Sequence, residues 1–324
     1  MVKYIWGGAG FTDEGKFNTQ ESREKAIDIL LSHNIKNIDT ARLYGNSETC
    51  IGALDKRTHF TIDTKVIGGF GSPGAVTKEG VMKDIPDSLE NVKIKQFDVL
   101  YIHAPDTTVP FEETIDGINE MHKKGIFRRF GLSNFSRAQV QQVYDISEKN
   151  GWVKPTVYQG NYNPVARHAE TELFPTLKKL GIAYYAYSPI AGGFLTKTAA
   201  DLDAGAGRFN AKVINGLYKK LYDKPEMREA LIKWNAIADA EGIAKAELAY
   251  RYVAHHSALS GDDFVKGEEN GVIFGASSHK QIEQTLEGLE RGKLSDKAVE
   301  GIEEIWTSVK GVAPLDNLTH EFKG

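Results

Sequence analysis

One short stretch of the sequence shows how the whole chain is organised. Phe97-Asp98-Val99-Leu100-Tyr101-Ile102-His103 is a run of mostly apolar and β-branched residues, which is typical of a strand. The segment Phe111–Lys123 that follows has the pattern of a helix. Together the two segments predict one strand followed by one helix, which is the repeating unit of α/β proteins.

The same unit recurs along most of the chain. Seven further strands are predicted at 4–6, 37–39, 60–66, 127–131, 157–160, 182–187 and 272–274. Predicted helices cover 20–32, 48–54, 78–92, 137–149, 170–180, 226–240, 245–255 and 281–289. Helical crossovers make consecutive strands parallel, and eight parallel strands close a (β/α)8 TIM barrel. An open doubly wound sheet is the alternative, but no Gly-x-Gly-x-x-Gly follows the first strand.

The length and composition agree with a single barrel domain. The chain has 324 residues, of which 41% are hydrophobic and 26% charged, as in ordinary globular proteins. A barrel of this class needs about 250 residues, so the rest is available for insertions. We therefore predict one domain over 1–324. A long loop follows strand seven at about 192–216, and a C-terminal helix and tail occupy about 295–324.

Charge and cysteine content exclude several classes of protein. The net charge is −4, which is unlike the basic surface of a nucleic-acid binder. No run of 18 apolar residues predicts a transmembrane helix, and the first residues do not resemble a signal peptide. Cys50 is the only cysteine, which fits a reducing compartment. We expect a cytoplasmic protein that binds neither nucleic acid nor a membrane.

Polar residues stand at the ends of three successive predicted strands. Asp39 ends the second strand, and Tyr44 follows it by five residues. Lys65 lies at the end of the third strand, and His103 ends the fourth. Taken singly, each residue type has an ordinary structural role as a helix cap, a packed ring, a solvated amine or a hydrogen-bonded imidazole. A barrel brings the carboxyl ends of its strands to one mouth, so the four together favour a catalytic site.

The chemistry of these four residues is coherent. A tyrosine has an ordinary pKa near 10, so it needs a neighbouring cation to donate its proton readily at neutral pH. Lys65 is the candidate cation, and Asp39 is the candidate that holds Lys65 charged and in place. His103 is suited to orient a carbonyl oxygen beside the Tyr44 hydroxyl. Such a set can protonate an alkoxide as a hydride arrives at the carbon.

Several motifs resemble those of the aldo-keto reductase superfamily, in the same order along the chain. They are Asn37-Ile38-Asp39-Thr40-Ala41-Arg42-Leu43-Tyr44-Gly45, Thr64-Lys65, Asp98-Val99-Leu100-Tyr101-Ile102-His103-Ala104-Pro105-Asp106, Gly131-Leu132-Ser133-Asn134-Phe135 and Gln159-Gly160-Asn161-Tyr162-Asn163-Pro164. Gly207-Arg208-Phe209 and Gly275-Ala276-Ser277-Ser278 are among those most similar to the aflatoxin-aldehyde reductase branch. The similarity covers essentially the whole chain, and its motifs are specific only jointly.

The resemblance implies a role for each matching residue. Tyr44 would be the general acid, tuned by Lys65 and Asp39, and His103 would orient the substrate carbonyl. NADPH is the implied cofactor. Its implied contacts are Ser133, Asn134 and Gln159 at the carboxamide, Tyr187 on the nicotinamide ring, Ser188, Pro189, Ile190, Ala191 and Gly192 along the pyrophosphate, Gly275, Ser277, Gln281 and Arg208 at the 2′-phosphate, and Gln284 at the adenine.

Independently of the resemblance, a Gly-Ala-Ser-Ser turn that opens a helix suits a phosphate group. Small residues let backbone N–H groups approach an anion, and the N-terminus of a helix favours negative charge. A simple strand-to-helix turn is the alternative interpretation of the same residues.

The sequence departs from the family pattern at several places, among them a loop carrying Tyr44 that is shorter than in the animal aflatoxin-aldehyde reductases. Leu195-Thr196-Lys197-Thr198 replaces Leu-Thr-Gly-Lys, so the phosphate-facing lysine is either shifted to Lys197 or lost. Thr285 stands where an asparagine is common. Phe322-Lys323 matches a C-terminal Phe-Arg, and a lysine keeps the charge but not the bidentate fork.

We predict an NADPH-dependent oxidoreductase that reduces aldehydes or ketones to alcohols. The alternative is a cofactor-binding regulatory subunit that resembles the potassium-channel β subunits, which can keep the same four residues. A metal-dependent barrel hydrolase would need a cluster of carboxylates and histidines, and no such motif occurs, so we expect no metal. The expected partner is a small carbonyl substrate. A homo-oligomer is left open.

Overall fold

The computed structural model describes residues 2–261 and 264–317, and its centre is a closed barrel of eight parallel strands. The strands are β1 Lys3–Gly7, β2 Asn37–Asp39, β3 Thr61–Val66, β4 Phe97–Ile102, β5 Phe127–Ser133, β6 Pro155–Asn161, β7 Ala183–Tyr187 and β8 Gly271–Phe274. Each strand pairs with the next, and β8 pairs with β1. The predicted (β/α)8 TIM barrel is confirmed, and the open doubly wound sheet is excluded.

Helices connect the strands and surround the barrel. They are α1 Gln20–Ser32, α2 Ser47–Gly52, α3 Lys78–Val92, α4 Phe111–Lys123, α5 Arg137–Asn150, α6 Ala169–Glu172, α7 Phe174–Leu180, α8 Ala199–Asp203, α9 Leu217–Tyr222, α10 Pro225–Glu241, α11 Lys245–His255, α12 His279–Glu290 and α13 Asp296–Val309. Ser or Thr side chains at Thr19, Thr77, Ser136, Ser278 and Ser295 accept backbone N–H groups and so define where their helices begin. Within the described part of the chain, no helix combines the length and apolar character that crossing a bilayer requires.

The strands are buried on both faces, which explains their apolar sequences. Their outward side chains pack against the helices in the main core. A smaller apolar cluster fills the inside of the barrel. Its buried members are Ile5, Val99, Tyr101, Val157, Ala183, Tyr185 and Ile273. The barrel is therefore a packed core and not a pore, and chemistry is confined to its ends.

The prediction of one helix over 170–180 is wrong. The structure breaks it at Leu173, whose φ of −125° is not helical, into α6 and α7. Pro175 lies in the first turn of α7 and is the physical reason for the break. A proline has no N–H to donate, and its ring clashes with the carbonyl four residues earlier, so a continuous helix is disfavoured.

The segment predicted as one long irregular loop at about 192–216 contains short helical pieces. A 3-10 turn covers Ala191–Thr196, α8 follows it, and another 3-10 turn covers Gly207–Phe209. Thr198 begins α8 with a capping box, because its hydroxyl accepts from the Asp201 N–H and the Asp201 carboxylate accepts from the Thr198 N–H. The C-terminal helix predicted within about 295–324 is α13, Asp296–Val309.

Candidate active site

A cleft of about 1120 Å³ opens at the carboxyl ends of the strands. Most of the predicted site residues line it: Asp39, Tyr44, His103, Ser133, Asn134, Gln159, Tyr187, Ser188, Pro189, Ile190, Gly192, Lys197, Arg208, Gly275, Ser277, Gln281 and Gln284. Lys65 and Ala191 are fully buried and lie behind its wall. A smaller cavity of about 750 Å³ shares Asn134 with the cleft but contains none of the four strand-end residues. The cleft is therefore the candidate active site.

A buried ion pair lies at the base of the cleft. Lys65 Nζ is 2.7 and 2.6 Å from the two carboxylate oxygens of Asp39, and it also donates to the Thr40 carbonyl at 2.8 Å. These three hydrogen bonds match the three N–H groups of an ammonium. Burial by itself lowers the pKa of Lys65, but the attraction and hydrogen bonds of Asp39, together with Tyr44 and Asp63, outweigh it, so the pKa is raised. Asp39 thus keeps Lys65 charged and fixes its ammonium in place.

Tyr44 lies on the loop between β2 and α2, next to that charge. Lys65 Nζ is 5.2 Å from the centre of the Tyr44 ring, and the His103 ring is 5.6 Å away in an edge-to-face arrangement. Burial raises the pKa of the Tyr44 hydroxyl, and the charge of Lys65 acts in the opposite direction. We expected Lys65 to decide the direction, but burial outweighs it. The lysine limits a rise in the pKa and does not produce a net fall.

His103 follows β4 directly and packs against two aromatic rings. Its ring meets the Tyr44 ring at 5.6 Å and the Phe70 ring at 4.9 Å, both edge-to-face. Burial and the charge of Lys65 hold the pKa of His103 well below its usual range, so the imidazole is neutral at pH 7. Among the described residues, its buried Nδ1 has no hydrogen-bond partner. A neutral imidazole in this position can serve as a hydrogen-bond donor to a bound oxygen.

Residues predicted to hold the nicotinamide are hydrogen-bonded to the catalytic candidates. The Asn134 amide donates to the His103 carbonyl at 2.8 Å, and its oxygen accepts from the Tyr187 hydroxyl at 2.8 Å. Gln159 Nε2 donates to Asp39 Oδ1 at 2.9 Å. Asn134 has a left-handed φ of 63°, a conformation that asparagine tolerates better than most residues. One network therefore joins the two groups of residues.

The loop after β7 has an unusual backbone. Ser188, Ala191, Gly192 and Gly193 all have positive φ. The N–H groups of Ala191 and Gly193 donate within the loop, to the carbonyls of Ser188 at 2.8 Å and Ile190 at 3.0 Å. A Cβ atom added at Gly193 would meet no other atom within 4 Å, so this part of the loop faces open space. The loop therefore leaves room for a ligand next to its backbone.

The turn after β8 faces the same cleft. The backbone N–H and hydroxyl of Ser277 both donate to the Gln281 side-chain oxygen, at 2.9 and 2.8 Å. A Cβ at Gly275 would also meet nothing within 4 Å. The Tyr250 hydroxyl donates to the Gly275 carbonyl at 3.3 Å. Burial raises the pKa of Tyr250 to about 12, and the charge of Arg208 opposes that rise.

Sequence analysis missed Tyr218, which organises this end of the cleft. Arg208 Nη1 donates to the Tyr218 hydroxyl at 3.2 Å, and the guanidinium lies 5.3 Å from the centre of the Tyr218 ring. The ring packs so closely on Gly192 that a Cβ there would lie 2.0 Å from it. Phe70 and Lys245 also line the cleft and were missed. Tyr218 packs on Gly192 and Phe70 packs on His103. Residues so far apart in sequence form no local pattern that could have indicated these contacts.

The departures from the family pattern have different outcomes. Lys197 and Thr285 both line the cleft. Phe322 and Lys323 lie outside the described residues. Among residues 2–261 and 264–317, no group of three or more His, Cys, Asp or Glu side chains is arranged to hold a metal ion.

Comparison with known proteins agrees with this geometry. The model of the aldo/keto reductase family matches residues 3–307. The chain belongs to the aldo/keto reductase family. Its members are oxidoreductases that reduce carbonyl groups and generally use nicotinamide cofactors.

Several curated aldo/keto reductases and oxidoreductases are similar over most of the chain. Oxidoreductase sirO of Leptosphaeria maculans is 38% identical over 303 residues, which cover 93% of this chain and 90% of that protein. Human aldo-keto reductase family 7 member A3 is 34% identical, with 86% of each chain covered. Human aflatoxin B1 aldehyde reductase member 2 is 33% identical, with 94% of this chain and 87% of that protein covered. The predicted resemblance to the aflatoxin-aldehyde reductase branch is confirmed.

In this aldo/keto reductase, the two groups of site residues follow one another along the chain without overlapping. Asp39, Tyr44, Lys65 and His103 follow or end β2, β3 and β4. The residues predicted to contact the cofactor all lie between β5 and α12. The two groups meet where Gln159 and Asn134 bond to Asp39 and His103.

Proposed function

We propose that this aldo/keto reductase reduces aldehydes or ketones to alcohols with NADPH, and that Tyr44 donates the proton. The observation that carries the proposal is the position of the Tyr44 ring in the cleft. It lies 5.2 Å from a buried lysine ammonium and 5.6 Å from a neutral histidine ring.

The residues of the cleft fit a dinucleotide. The open spaces at Gly193 and Gly275 leave room for phosphate groups at two turns that line the cleft. Asn134, Gln159 and Tyr187 would hold the nicotinamide end, and Gln281, Gln284 and Arg208 would hold the adenosine end. When bound, the reduced nicotinamide supplies a hydride to the carbonyl carbon.

Tyr44 would transfer its hydroxyl proton to the carbonyl oxygen as that oxygen gains negative charge. The reaction leaves a phenolate at Tyr44, which the positive charge of Lys65 stabilises. Asp39 keeps Lys65 protonated and holds its Nζ through two hydrogen bonds of 2.7 and 2.6 Å. Lys65 is fully buried, so water does not screen its charge from the phenolate.

His103 would bind the carbonyl oxygen beside the Tyr44 hydroxyl. A protonated histidine would itself be an acid and would repel Lys65, but the lowered pKa keeps His103 neutral. A neutral ring donates one hydrogen bond and orients the oxygen without competing for the proton transfer. Phe70 also packs edge-to-face against the ring, with the two centroids 4.9 Å apart.

The preference for NADPH over NADH is supported by positive charge in the cleft, which the β8–α12 turn also lines. Lys197, Arg208 and Lys245 line the cleft together with Gly275 and Ser277 of that turn. NADPH differs from NADH only by a 2′-phosphate, which such cations attract. The turn itself, Gly275-Ala276-Ser277-Ser278, contains no acidic residue to bind a free ribose hydroxyl.

Oxidation of NADPH in the presence of a carbonyl compound tests the proposal. The purified protein is screened against small aldehydes, dialdehydes, semialdehydes and ketones, and the loss of NADPH absorbance is followed. A regulatory subunit of the potassium-channel β type would bind NADPH but turn over none of these compounds appreciably. Turnover that is abolished by Tyr44→Phe supports the proposal, whereas tight NADPH binding without turnover contradicts it.

A further inference from the structure

We propose that Arg42 is a positioning residue that holds the Tyr44 loop, residues 40–46, against helix α3 and so places the Tyr44 hydroxyl. This inference rests on the proposed role of Tyr44 as the acid. Arg42 belongs to the motif quoted above, but no step of the reaction described so far uses its side chain.

The Arg42 guanidinium is bound to one face of α3. Its Nη1 donates to the Asp84 carbonyl at 3.0 Å and to the Ser88 hydroxyl at 3.4 Å. Its Nη2 lies 3.4 Å from an Asp84 carboxylate oxygen and 3.8 Å from one of Asp87. One side chain thus joins the loop to three residues of a helix that otherwise contributes nothing to the cleft.

The other end of the Tyr44 loop is held by a different pair. Asn46 Nδ2 donates to Asp13 Oδ2 at 2.6 Å, and the Asp13 N–H donates to Asn46 Oδ1 at 3.2 Å. Asp13 belongs to the segment between β1 and α1. The loop is therefore attached at Arg42 to α3 and at Asn46 to the β1–α1 segment.

Tyr44 is in the middle of the three residues between these attachments. Its neighbours offer little packing, because Leu43 is 42% exposed and Gly45 has no side chain. Gly45 also has a left-handed φ of 57°. Backbone hydrogen bonds of 3.0 Å, from the Tyr44 N–H to the Ala41 carbonyl and from the Ser47 N–H to the Tyr44 carbonyl, shape the loop, and the Arg42 N–H donates to the Lys65 carbonyl at 3.2 Å. The side chains of Arg42 and Asn46 add the contacts that fix this loop against α3 and the β1–α1 segment. Releasing Arg42 would let the hydroxyl move relative to Lys65 and to the substrate oxygen.

Such a displacement affects the chemical step more than binding. A misplacement of about 1 Å costs on the order of 10²-fold in rate, because reacting atoms must be aligned. The residues proposed to hold the cofactor lie on other loops. We therefore expect a loss in kcat with little change in the affinity for NADPH. Proton transfer should also become more rate-limiting, which raises the solvent deuterium isotope effect on kcat.

The test compares Arg42→Met with Arg57→Met. Arg57 is a matched control, since it is also half-buried and donates to backbone carbonyls, those of Lys93 at 3.3 Å and Leu54 at 3.2 Å, but does not contact the Tyr44 loop. Each variant is assayed for kcat, for NADPH binding by fluorescence, for the solvent isotope effect and for thermal unfolding.

We expect Arg42→Met to lose about 10- to 100-fold in kcat, with a larger solvent isotope effect and unchanged NADPH binding. Arg57→Met should keep the wild-type kcat and isotope effect. Arg42→Lys should recover part of the rate, because a lysine can reach one of the α3 acceptors but not several at once. If Arg42→Met does not fold, Arg42→Lys supplies the same comparison, with a smaller expected loss.

The inference is overturned if Arg42→Met loses no more kcat than Arg57→Met, or if its isotope effect equals that of the wild type. Tyr44→Phe is assayed in parallel to separate the two proposals. A fully active Tyr44→Phe overturns the role of Tyr44 as the acid, whatever Arg42→Met does. An inactive Tyr44→Phe with an unaffected Arg42→Met overturns only the role of Arg42.

Discussion

Gln159 and Lys65 bind the same oxygen of Asp39. Gln159 Nε2 lies 2.9 Å from Asp39 Oδ1, and Lys65 Nζ lies 2.7 Å from it. The residue proposed to hold the nicotinamide carboxamide is thus one hydrogen bond away from the ion pair that supports Tyr44. Any movement of Gln159 on binding a ligand changes how much of the Asp39 charge is available to Lys65.

Replacing Tyr44 by phenylalanine should remove the proton donor and keep the ring. The edge contact with His103 survives, so NADPH binding should be nearly normal. General acid catalysis contributes about 10²–10⁴-fold, and we expect kcat for aldehyde reduction to fall by that factor. Steady-state kinetics and fluorescence titration check the two parts. A variant that retains more than about a third of the wild-type kcat would show that Tyr44 is not the acid, given that expected loss.

Replacing Lys65 by methionine should weaken Tyr44 as an acid. The lysine charge now opposes the effect of burial, so its loss raises the pKa of Tyr44 further. The alkaline limb of the pH–rate profile should move to higher pH while kcat falls. Asp39 would also become a buried charge without its partner, which costs about 3–5 kcal/mol of unfolding free energy.

A double variant separates the two effects of Lys65→Met. Asp39→Asn combined with Lys65→Met removes both charges, so chemical denaturation should show that much of the lost stability returns. Activity should stay low, because Tyr44 still lacks its cation. An unchanged pH–rate profile in folded Lys65→Met would mean that the lysine does not act on Tyr44.

Arg208→Ala should weaken NADPH binding and leave NADH binding almost unchanged. A hydrogen bond to a charged group contributes about 1.5–3 kcal/mol, which is on the order of 10–150-fold in affinity. Fluorescence titration with both cofactors measures the difference. Arg208 also donates to the Tyr218 hydroxyl, so it has a competing role as an anchor for the loop.

Tyr218→Phe is the control for that competing role, because it removes the hydroxyl and keeps the ring under the guanidinium. If Arg208 binds the 2′-phosphate of NADPH, Tyr218→Phe should bind both cofactors nearly as the wild type does. Equal losses for NADPH and NADH in Arg208→Ala, reproduced by Tyr218→Phe, would assign Arg208 to the loop alone.

Asp63 should make the stability of the protein depend on pH. It points into the barrel two residues before Lys65, is fully buried and accepts a hydrogen bond from the Val99 N–H at 3.1 Å. Among the described residues, its second oxygen has no partner. Burial, together with the negative charge of Asp98, raises its pKa to about 7. The unfolded chain has the ordinary value of about 3.9.

Because the folded-state pKa is the higher one, the stability that Asp63 contributes is present at low pH and lost as the pH rises through about 7. Between about pH 5 and pH 8 the loss amounts to about 2–3 kcal/mol. Asp63→Asn cannot ionise and should lack this loss, so it gains stability relative to the wild type as the pH rises. Urea denaturation at both pH values measures the difference. The exposed Asp145→Asn is the control, and a pH dependence of Asp63→Asn equal to that of the wild type contradicts the assignment.

The barrel was predictable from the sequence because each of its strands and helices is encoded by residues that are close together in the chain. Each strand is a short apolar run, and hydroxyl side chains such as Thr77 and Ser136 mark where helices begin. The break at Leu173 was also encoded locally, in Pro175, but the apolar periodicity across 170–180 hid it. Eight units in series then leave few ways to connect parallel strands.

The site was less predictable where it depends on contacts between distant parts of the chain. The four strand-end residues could be grouped because the fold brings strand ends together. The direction in which the pKa of Tyr44 shifts could not be predicted, since it depends on how deeply the folded chain buries the ring. Tyr218 and the partners of Arg42 lie on α9 and α3, and only the folded chain shows which surfaces they meet.

The separation of the cleft into an early and a late part of the chain bears on how this protein can evolve. Substitutions after β5 can change which nucleotide is preferred while Asp39, Tyr44, Lys65 and His103 are inherited unaltered. Changes near β2–β4 can in turn modify the chemistry without rebuilding the nucleotide site. The hydrogen bonds Gln159–Asp39 and Asn134–His103 limit this independence, because they transmit a mutation in one part to the other. Those four positions are where compensating pairs of substitutions should accumulate during divergence.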